Sequence, residues 1–473
     1  FYNGKTPIQT EWETEVASYY PQGEDCLYLN IWTSADRTVD GKAVMVFFHG
    51  GSYGWGGTAD PLYDGFNFVS AHPEIVLVTV GYRTGIAGFV DFSSVPGGDA
   101  FPDAPNLGLL DQIESLRWIQ RNISAFGGDP GLVTVFGESA GGGSVSLLPV
   151  IAEARGLFRR VIAQSGSVAL TNSKEECRLF TKKLLKESRC STMEELTALS
   201  EEELKKVNEK INAFNCFPQR DGRIIPLDPY LPYETGETAS VDMLVGTNAN
   251  EMNYWIGEIG GLLPYRLGMT VKYENDLRRL NAKDQFRAKE FIRGTWKTNR
   301  WVITEFYNEL MFRLPAVRQM EGHAKNGGKA FMYYWSEQSS IPKRGACHAV
   351  ELAYVFRNTD QTIYTGTPAD RDLSDFTADV WARFARTGDP SSPEADWPPY
   401  DAEQRQTMIM SRNRRLESGI LDRQRAILFP LLKYKLNPGY ADLNFNVPFV
   451  RGLIAAGLLL LALIVTVVIL LAT

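Results

Sequence analysis

Ser139 lies in Gly137-Glu138-Ser139-Ala140-Gly141, inside the run TVFGESAGGGS (134–144). A β-branched run stops at a glycine, and the serine stands among small residues. A serine hydroxyl becomes a useful nucleophile only where the chain presents it and a base can reach it. Gly-x-Ser-x-Gly at a strand-to-helix turn presents it. The serine takes a strained backbone conformation there, so the residues two before and two after must be nearly free of side chain. The turn also sets the hydroxyl at a helix N-terminus, where the amide of Ala140 can face a developing oxyanion. A second match, Gly50-Gly51-Ser52-Tyr53-Gly54, competes with the first. Context separates them. Ser52 leads into the loop WGGTADP, whereas Ser139 follows LVTVF and leads into AGGGSVSLLPV, which can start a helix. The stretch FFHGGSYGWGG has a different use: consecutive glycines at the end of a buried strand leave backbone amides bare. Gly51 and Ser52 are therefore assigned as amide donors to the same oxyanion.

The base that serine needs is most often a histidine, and the chain has four: His49, His72, His323 and His348. His49 precedes the glycine loop and reads as structural, and His72 lies upstream of the serine. For a strand-to-helix serine the chain order is serine, acid, histidine, which leaves His323 and His348. His323 sits near a helix end in a polar context. His348, in GACHAVELAYVF, has the better loop setting. The acid should follow a later strand. DMLVGTNANEMNYW ends a strand at Gly246 and presents Glu251 five residues on, while Asp242 would sit at the wrong end of that strand. Glu251 would hold the imidazole tautomer and stabilise the imidazolium. Tyr53, Trp55, Phe66, Phe89, Tyr254, Trp255 and Phe356 are candidates to line an apolar gorge, with ordinary core the reading for about half of them.

Positioning such a set needs a rigid frame. AVMVFF (43–48), IVLVTV (75–80), LVTVF (132–136), RVIAQ (160–164), DMLVG (242–246) and AFMYYWS (330–336) are apolar runs without alternation. Strands covered on both faces read this way. Between them LGLLDQIESLRWIQRNI (107–123) carries apolar residues close to helical spacing. Alternating strands and helices predict an α/β fold, a mostly parallel sheet with helices on both sides. Residues 173–210 and 253–330 read as helical excursions from it, the latter a cap. The catalytic unit is expected to span 1–435, with a linker over 436–451.

The chain has 473 residues, a net charge of −7 and 44% apolar residues, ample for a large core. Mild acidity speaks against nucleic acid, and Arg412-Asn413-Arg414-Arg415 is a short run of the kind found on solvated faces. None of the five cysteines has zinc or redox spacing, and neither a metal nor an organic cofactor is expected. Cys177 and Cys190 flank a short charged segment and are candidates to close a surface loop. Residues 452–473, GLIAAGLLLLALIVTVVILLAT, carry no charge. As a helix they would reach about 33 Å, enough to cross a bilayer. A membrane span with Arg451 at its aqueous boundary is expected, with a cleaved lipid-anchor signal as the alternative. The catalytic unit is then expected outside the cytosol, and the oligomeric state is unread.

At EDCLYLNIW (24–32), HGGSYGWGG (49–57), GYRTGIAGF (81–89), NLGLLDQIESLRWIQRNISAFGGDP (106–130), VFGESAGG (135–142) and FRRVIAQSGS (158–167) the chain resembles the type-B carboxylesterase and cholinesterase family, bacterial para-nitrobenzyl esterases in particular. GTNANE (246–251), HAVE (348–351), FARTGDP (384–390) and WPPY (397–400) add weaker matches. The resemblance implies the α/β-hydrolase fold and hydrolysis of small carboxylic esters through an acyl-enzyme. It implies the triad Ser139, Glu251 and His348, and the oxyanion donors Gly51, Ser52 and Ala140. It also places Ser165 where family members support the triad by hydrogen bonding; a plain turn serine is the alternative. Three departures stand out. The family often has glycine at the positions of Ser52 and Ala349, and most of the usual segment before EDCLYLN, which often holds a partner for Cys26, has no counterpart. A catalytically silent, membrane-anchored adhesion protein of the same fold is the competing reading. Such proteins tend to lose the triad, whose three positions are filled here.

Overall fold

A computed structural model describes residues 4–9, 21–35, 41–211, 216–258, 262–296, 302–393 and 395–435, together with 455 and 457–459. One nine-stranded sheet organises the chain, in the order β1-β3-β2-β4-β5-β6-β7-β8-β9. The strands are β1 (Leu29–Trp32), β2 (Lys42–Phe48), β3 (Ile75–Val80), β4 (Gly128–Glu138), β5 (Arg160–Gln164), β6 (Asp242–Asn248), β7 (Ala330–Trp335), β8 (Gln406–Met410) and β9 (Arg415–Ser418). From β3 through β8 neighbours run parallel. The edge strands β1 and β9 pair antiparallel. The six strands legible as apolar runs are the central ones. Both β2 and β3 are buried along their whole length. Three strands were not read from the sequence: β8, whose QTMIM is a short buried run next to the edge, and the two edges, because LNIW is only half-buried and RLES is partly exposed and polar, as edge strands are.

The buried strands split their side chains between two cores. Val44, Val46 and Phe48 join a core with Leu109, Ile113, Leu116 and Ile119 of α1 (Leu107–Asn122). Ala43, Met45 and Phe47 face the other way, onto Val380, Trp381 and Phe384 of a long C-terminal helix (Arg371–Thr387). Alternation in side-chain direction thus persists without alternation in polarity. A third core, with Met252, Tyr265, Phe306 and Phe312, lies under the cap. The charged excursion forms helices over Lys174–Ser188, Met193–Thr197 and Glu201–Lys210, each opened by a Ser or Thr bonded reciprocally to a Glu three residues on.

Parallel pairing puts the C-terminal ends of β2, β4, β5 and β6 on one rim. The chain passes from β2 to β3 on one side, then starts β4 on the other side of β2. Connections diverge at that point and leave a crevice between the loop after β2 and the turn after β4, where open α/β sheets bind ligands. Phe48 pairs with Gly137 at that crevice.

Two expectations meet different outcomes elsewhere. All five cysteines are free thiols, so Cys177 and Cys190 do not close a loop. Cys177 lies in the helix that runs on to Ser188, and that rigid stretch of about 16 Å exceeds the reach of a disulfide. The apolar tail 452–473 lies outside the described residues except at 455 and 457–459. Among the described residues no helix is long and apolar enough to cross a membrane.

Candidate active site

The turn after β4 holds Ser139 at φ 57° and ψ −119°, and α2 (Ala140–Leu147) starts at the next residue. Its amide donates to the Gln164 carbonyl at 2.9 Å, and its carbonyl accepts from Gly143 N at 2.8 Å. The flanking glycines are sterically required. A β-carbon on Gly141 would lie 1.9 Å from the Phe48 carbonyl oxygen, and one on Gly137 would lie 2.6 Å from the Gly141 carbonyl carbon. No side chain survives at either position without moving the backbone of β2 or α2.

Across the crevice Gly51, Ser52 and Tyr53 adopt positive φ in succession, at 96°, 52° and 57°. The Gly51 carbonyl accepts from Gly54 N at 2.8 Å and Trp55 N at 3.1 Å, which curls the loop over the strand end. His49 braces it from below. Its Nδ1 lies 2.8 Å from the Gly50 carbonyl, and its ring stacks on Tyr82 at 4.4 Å. Burial lowers its pKa to about 4, so it stays neutral. His323 is likewise a bolt: its ring nitrogens contact Thr238 Oγ1 at 2.9 Å and the Val241 carbonyl at 3.1 Å, at the N-terminal end of β6. That end is opposite to the one bearing Ser139.

His348 lies on the Ser139 rim. Its Nδ1 is 2.6 Å from Glu251 Oε2. The other carboxylate oxygen accepts from Ser165 Oγ at 2.7 Å and from Asn248 N at 2.7 Å. Glu251 is therefore held at both oxygens and orients the ring through one. Among the described residues Nε2 makes no hydrogen bond, and Glu138 Oε1 lies beside it as an ion-pair partner. Ser139, His348, Gly51 and Ser52 line one narrow cleft of about 40 Å³. Ala140, whose amide follows the serine, begins α2 beside it.

Several site residues were not singled out in the sequence. Glu138 Oε1 stands 3.2 Å from His348 Nε2, and both side chains are buried. Glu351, in the HAVE stretch, accepts from Asn248 Nδ2 at 2.6 Å and Gln164 Nε2 at 3.1 Å. Phe312 packs on the His348 ring at 4.9 Å from a π-helical segment, Asn308–Arg313, whose Asn308 accepts from Met252 N at 2.8 Å. Adjacency to the serine and to the histidine was the available signal for Glu138 and Glu351; Phe312 had none. The charges set the titration of the base. Burial opposes protonation of His348, but Glu138 and then Glu251 outweigh it and raise its pKa to about 9. Burial, then the charge of Glu251, raises the pKa of Glu351.

Of the gorge candidates, Trp55, Tyr254 and Trp255 line the cleft, joined by Tyr63 and Tyr364. Trp255 and Tyr254 flank His348 at 5.4 and 6.0 Å. The others go elsewhere. Tyr53 and Phe89 pack edge-on at 5.0 Å in the core beneath the loop. Phe356 packs against Phe47 at 4.9 Å in the opposite core, and Phe66 is exposed. Apolar character alone cannot separate gorge from core, since both bury aromatic area.

The family model for the carboxylesterase family matches residues 3–427. The chain is similar to the para-nitrobenzyl esterase of Bacillus subtilis, 33% identical over 427 residues that cover 86% of this chain and 83% of that one. It is similar to rat (Rattus norvegicus) carboxylesterase 1E, 31% identical with 92% and 82% covered. Among solved structures, the Geobacillus stearothermophilus carboxylesterase superposes with a TM-score of 0.75 at 30% identity, covering 90% of this chain and 88% of that one.

Proposed function

The chain belongs to the carboxylesterase family and is a carboxylic ester hydrolase, and we propose that it works through an acyl-enzyme on Ser139 with uncharged, apolar esters as substrates. In this reading Ser139 Oγ attacks the ester carbonyl while His348 Nε2 takes its proton. The amides of Gly51, Ser52 and Ala140 bind the oxyanion, and Glu251 stabilises the imidazolium. His348 then protonates the leaving alcohol. Water, activated by the same ring, attacks the acyl-serine and releases the acid. The observation that carries the reading is the 2.6 Å contact between Glu251 and His348 Nδ1, with Nε2 on the cleft that Ser139 lines, 3.2 Å from Glu138 Oε1. Ser165 takes the role of a positioning residue through its bond to Glu251.

Substrate class follows from the walls. Trp55, Tyr254, Trp255 and Tyr364 offer aromatic area, and Asp60 and Glu138 oppose an anionic acyl group. The test is Ser139→Ala. Turnover of a chromogenic ester should fall by about 10³-fold or more, with thermal unfolding nearly unchanged. Retained turnover would move the nucleophile elsewhere, with Ser52 first in line. A wild-type chain inert towards esters would favour the silent, membrane-anchored reading. The uncharged residues 452–473 support a membrane tether. Release from membranes by alkaline carbonate, rather than by detergent alone, would contradict the tether.

A further inference from the structure

A second cavity, of about 350 Å³, shares no lining residue with the Ser139 cleft. It lies where the segment after β5, the loop Arg220–Tyr230, the stretch from Leu310 to Arg318 and the chain at Leu431–Lys435 meet. Its volume falls within the about 300–1,000 Å³ usual for small-ligand sites. Val168, Leu310, Pro315 and Leu431 supply apolar wall.

Its charges are lopsided. Arg220, Arg318, Lys433 and Lys435 line it, against the single carboxylate of Asp228. Two of the cations are satisfied. Arg318 bonds Glu234 at 2.9 Å and stacks on the Tyr230 ring, and Lys433 lies 2.8 Å from Asp284. Asp228 is engaged as well, accepting from Tyr230 N at 3.1 Å. The other two cations are not satisfied. Arg220 Nη1 donates to the Leu227 carbonyl at 3.2 Å, but among the described residues Arg220 Nε and Lys435 Nζ are buried without a hydrogen-bond partner. Burial, then the charge of Arg220, hold Lys435 down to about 7, against the pull of Glu176 and Asp228. Buried cationic donors rarely stay unpaired, since desolvation costs more than an isolated charge recovers. An anion between the two groups removes that cost.

We propose that this cavity binds the carboxylate of an amphipathic acid, its head group held by Arg220 and Lys435 and its chain laid along Val168, Leu310, Pro315 and Leu431. An inorganic anion would satisfy the cations and leave the apolar wall uncovered. An apolar acid is also what the proposed ester hydrolysis releases. The proposal rests on that reading for the source of its ligand and not for the binding itself.

Calorimetric titration of the 473-residue Ser139→Ala chain with sodium decanoate tests it, beside 1-decanol and inorganic phosphate. One decanoate should bind per chain, with decanol and phosphate weaker by about tenfold or more. Lys435→Met and Arg220→Met should each weaken decanoate by about tenfold or more. Leu227→Glu, at an exposed position of the wall, should weaken it without touching the fold. In the chain with Ser139 intact, these three substitutions should leave turnover of a chromogenic ester unchanged. Absence of decanoate binding, or binding indifferent to all three substitutions, overturns the site. Phosphate binding as tightly as decanoate overturns the ligand class. Ester turnover by the wild-type chain is scored separately. Hydrolysis without decanoate binding sinks only the cavity proposal, and binding without hydrolysis sinks only the hydrolase reading.

Discussion

Replacing Glu138 by glutamine removes a full negative charge 3.2 Å from His348 Nε2 and keeps the side chain's size. Two unit charges at that separation interact by about 5 kcal/mol at an effective dielectric of about 20, and by about 1.3 kcal/mol in bulk water. At about 1.4 kcal/mol per pKa unit, the carboxylate raises His348 by between about one and four units. The wild-type base stands near 9. A general base must be neutral, so kcat/KM should climb with pH towards a limb near 9. In Glu138→Gln the limb should move to lower pH by about one unit or more. Stability carries the same signature. The folded pKa lies above the ordinary histidine value of 6.5. Protonated His348 therefore stabilises the fold fully below about 6.5, and that contribution is lost as pH rises through about 9. Its size is about 3 kcal/mol. Chemical denaturation at pH 6 and at pH 9.5 measures it, and the dependence should be shallower in Glu138→Gln. A pH–rate limb that stays in place on substitution, with stability equally unmoved, refutes the claim that Glu138 sets the titration of the base.

Three further substitutions probe the frame. Gly141→Ala places a methyl group 1.9 Å from the Phe48 carbonyl, so thermal unfolding should reveal a loss of about 4 kcal/mol or more, or no folded protein at all. Ser165→Ala deletes one of the bonds that hold Glu251. Steady-state kinetics should show kcat/KM down by about tenfold with KM little changed. Ala349 sits at φ 65° directly after the base. Ala349→Gly should relieve left-handed strain and raise stability by up to about 1 kcal/mol, and a denaturation midpoint that falls would contradict this.

The central strands were legible because burial on both faces leaves unbroken apolar runs such as AVMVFF and IVLVTV, and the elbow because no residue but glycine fits beside Phe48. The edge strands were not, since a half-buried four-residue strand looks like any loop. Chain order alone left His323 and His348, and the loop setting favoured His348. The direction of β6 gives the physical reason, placing one at each end of the sheet. Ser52 and Ala349, where the resemblance led to an expectation of glycine, both hold positive φ, at 52° and 65°. That backbone conformation favours glycine, which gives the expectation its physical reason. Glu138 and Glu351 escaped notice because their importance lies in charge near an imidazole 210 and 3 residues away in sequence, and no spacing rule announces that. The gorge was the least legible part. Tyr53, Phe89 and Phe356 differ from Trp55 and Trp255 in where the chain turns, not in chemistry.

The most direct measurement is intact-chain labelling with an organophosphonate ester probe, followed by peptide mass mapping. One adduct per chain is predicted, on the peptide bearing Ser139, formed rapidly in the wild type and lost when His348 becomes alanine. An adduct on Ser52, or no adduct on a folded chain, would contradict the convergence of Ser139, His348 and Glu251 on one reacting carbonyl.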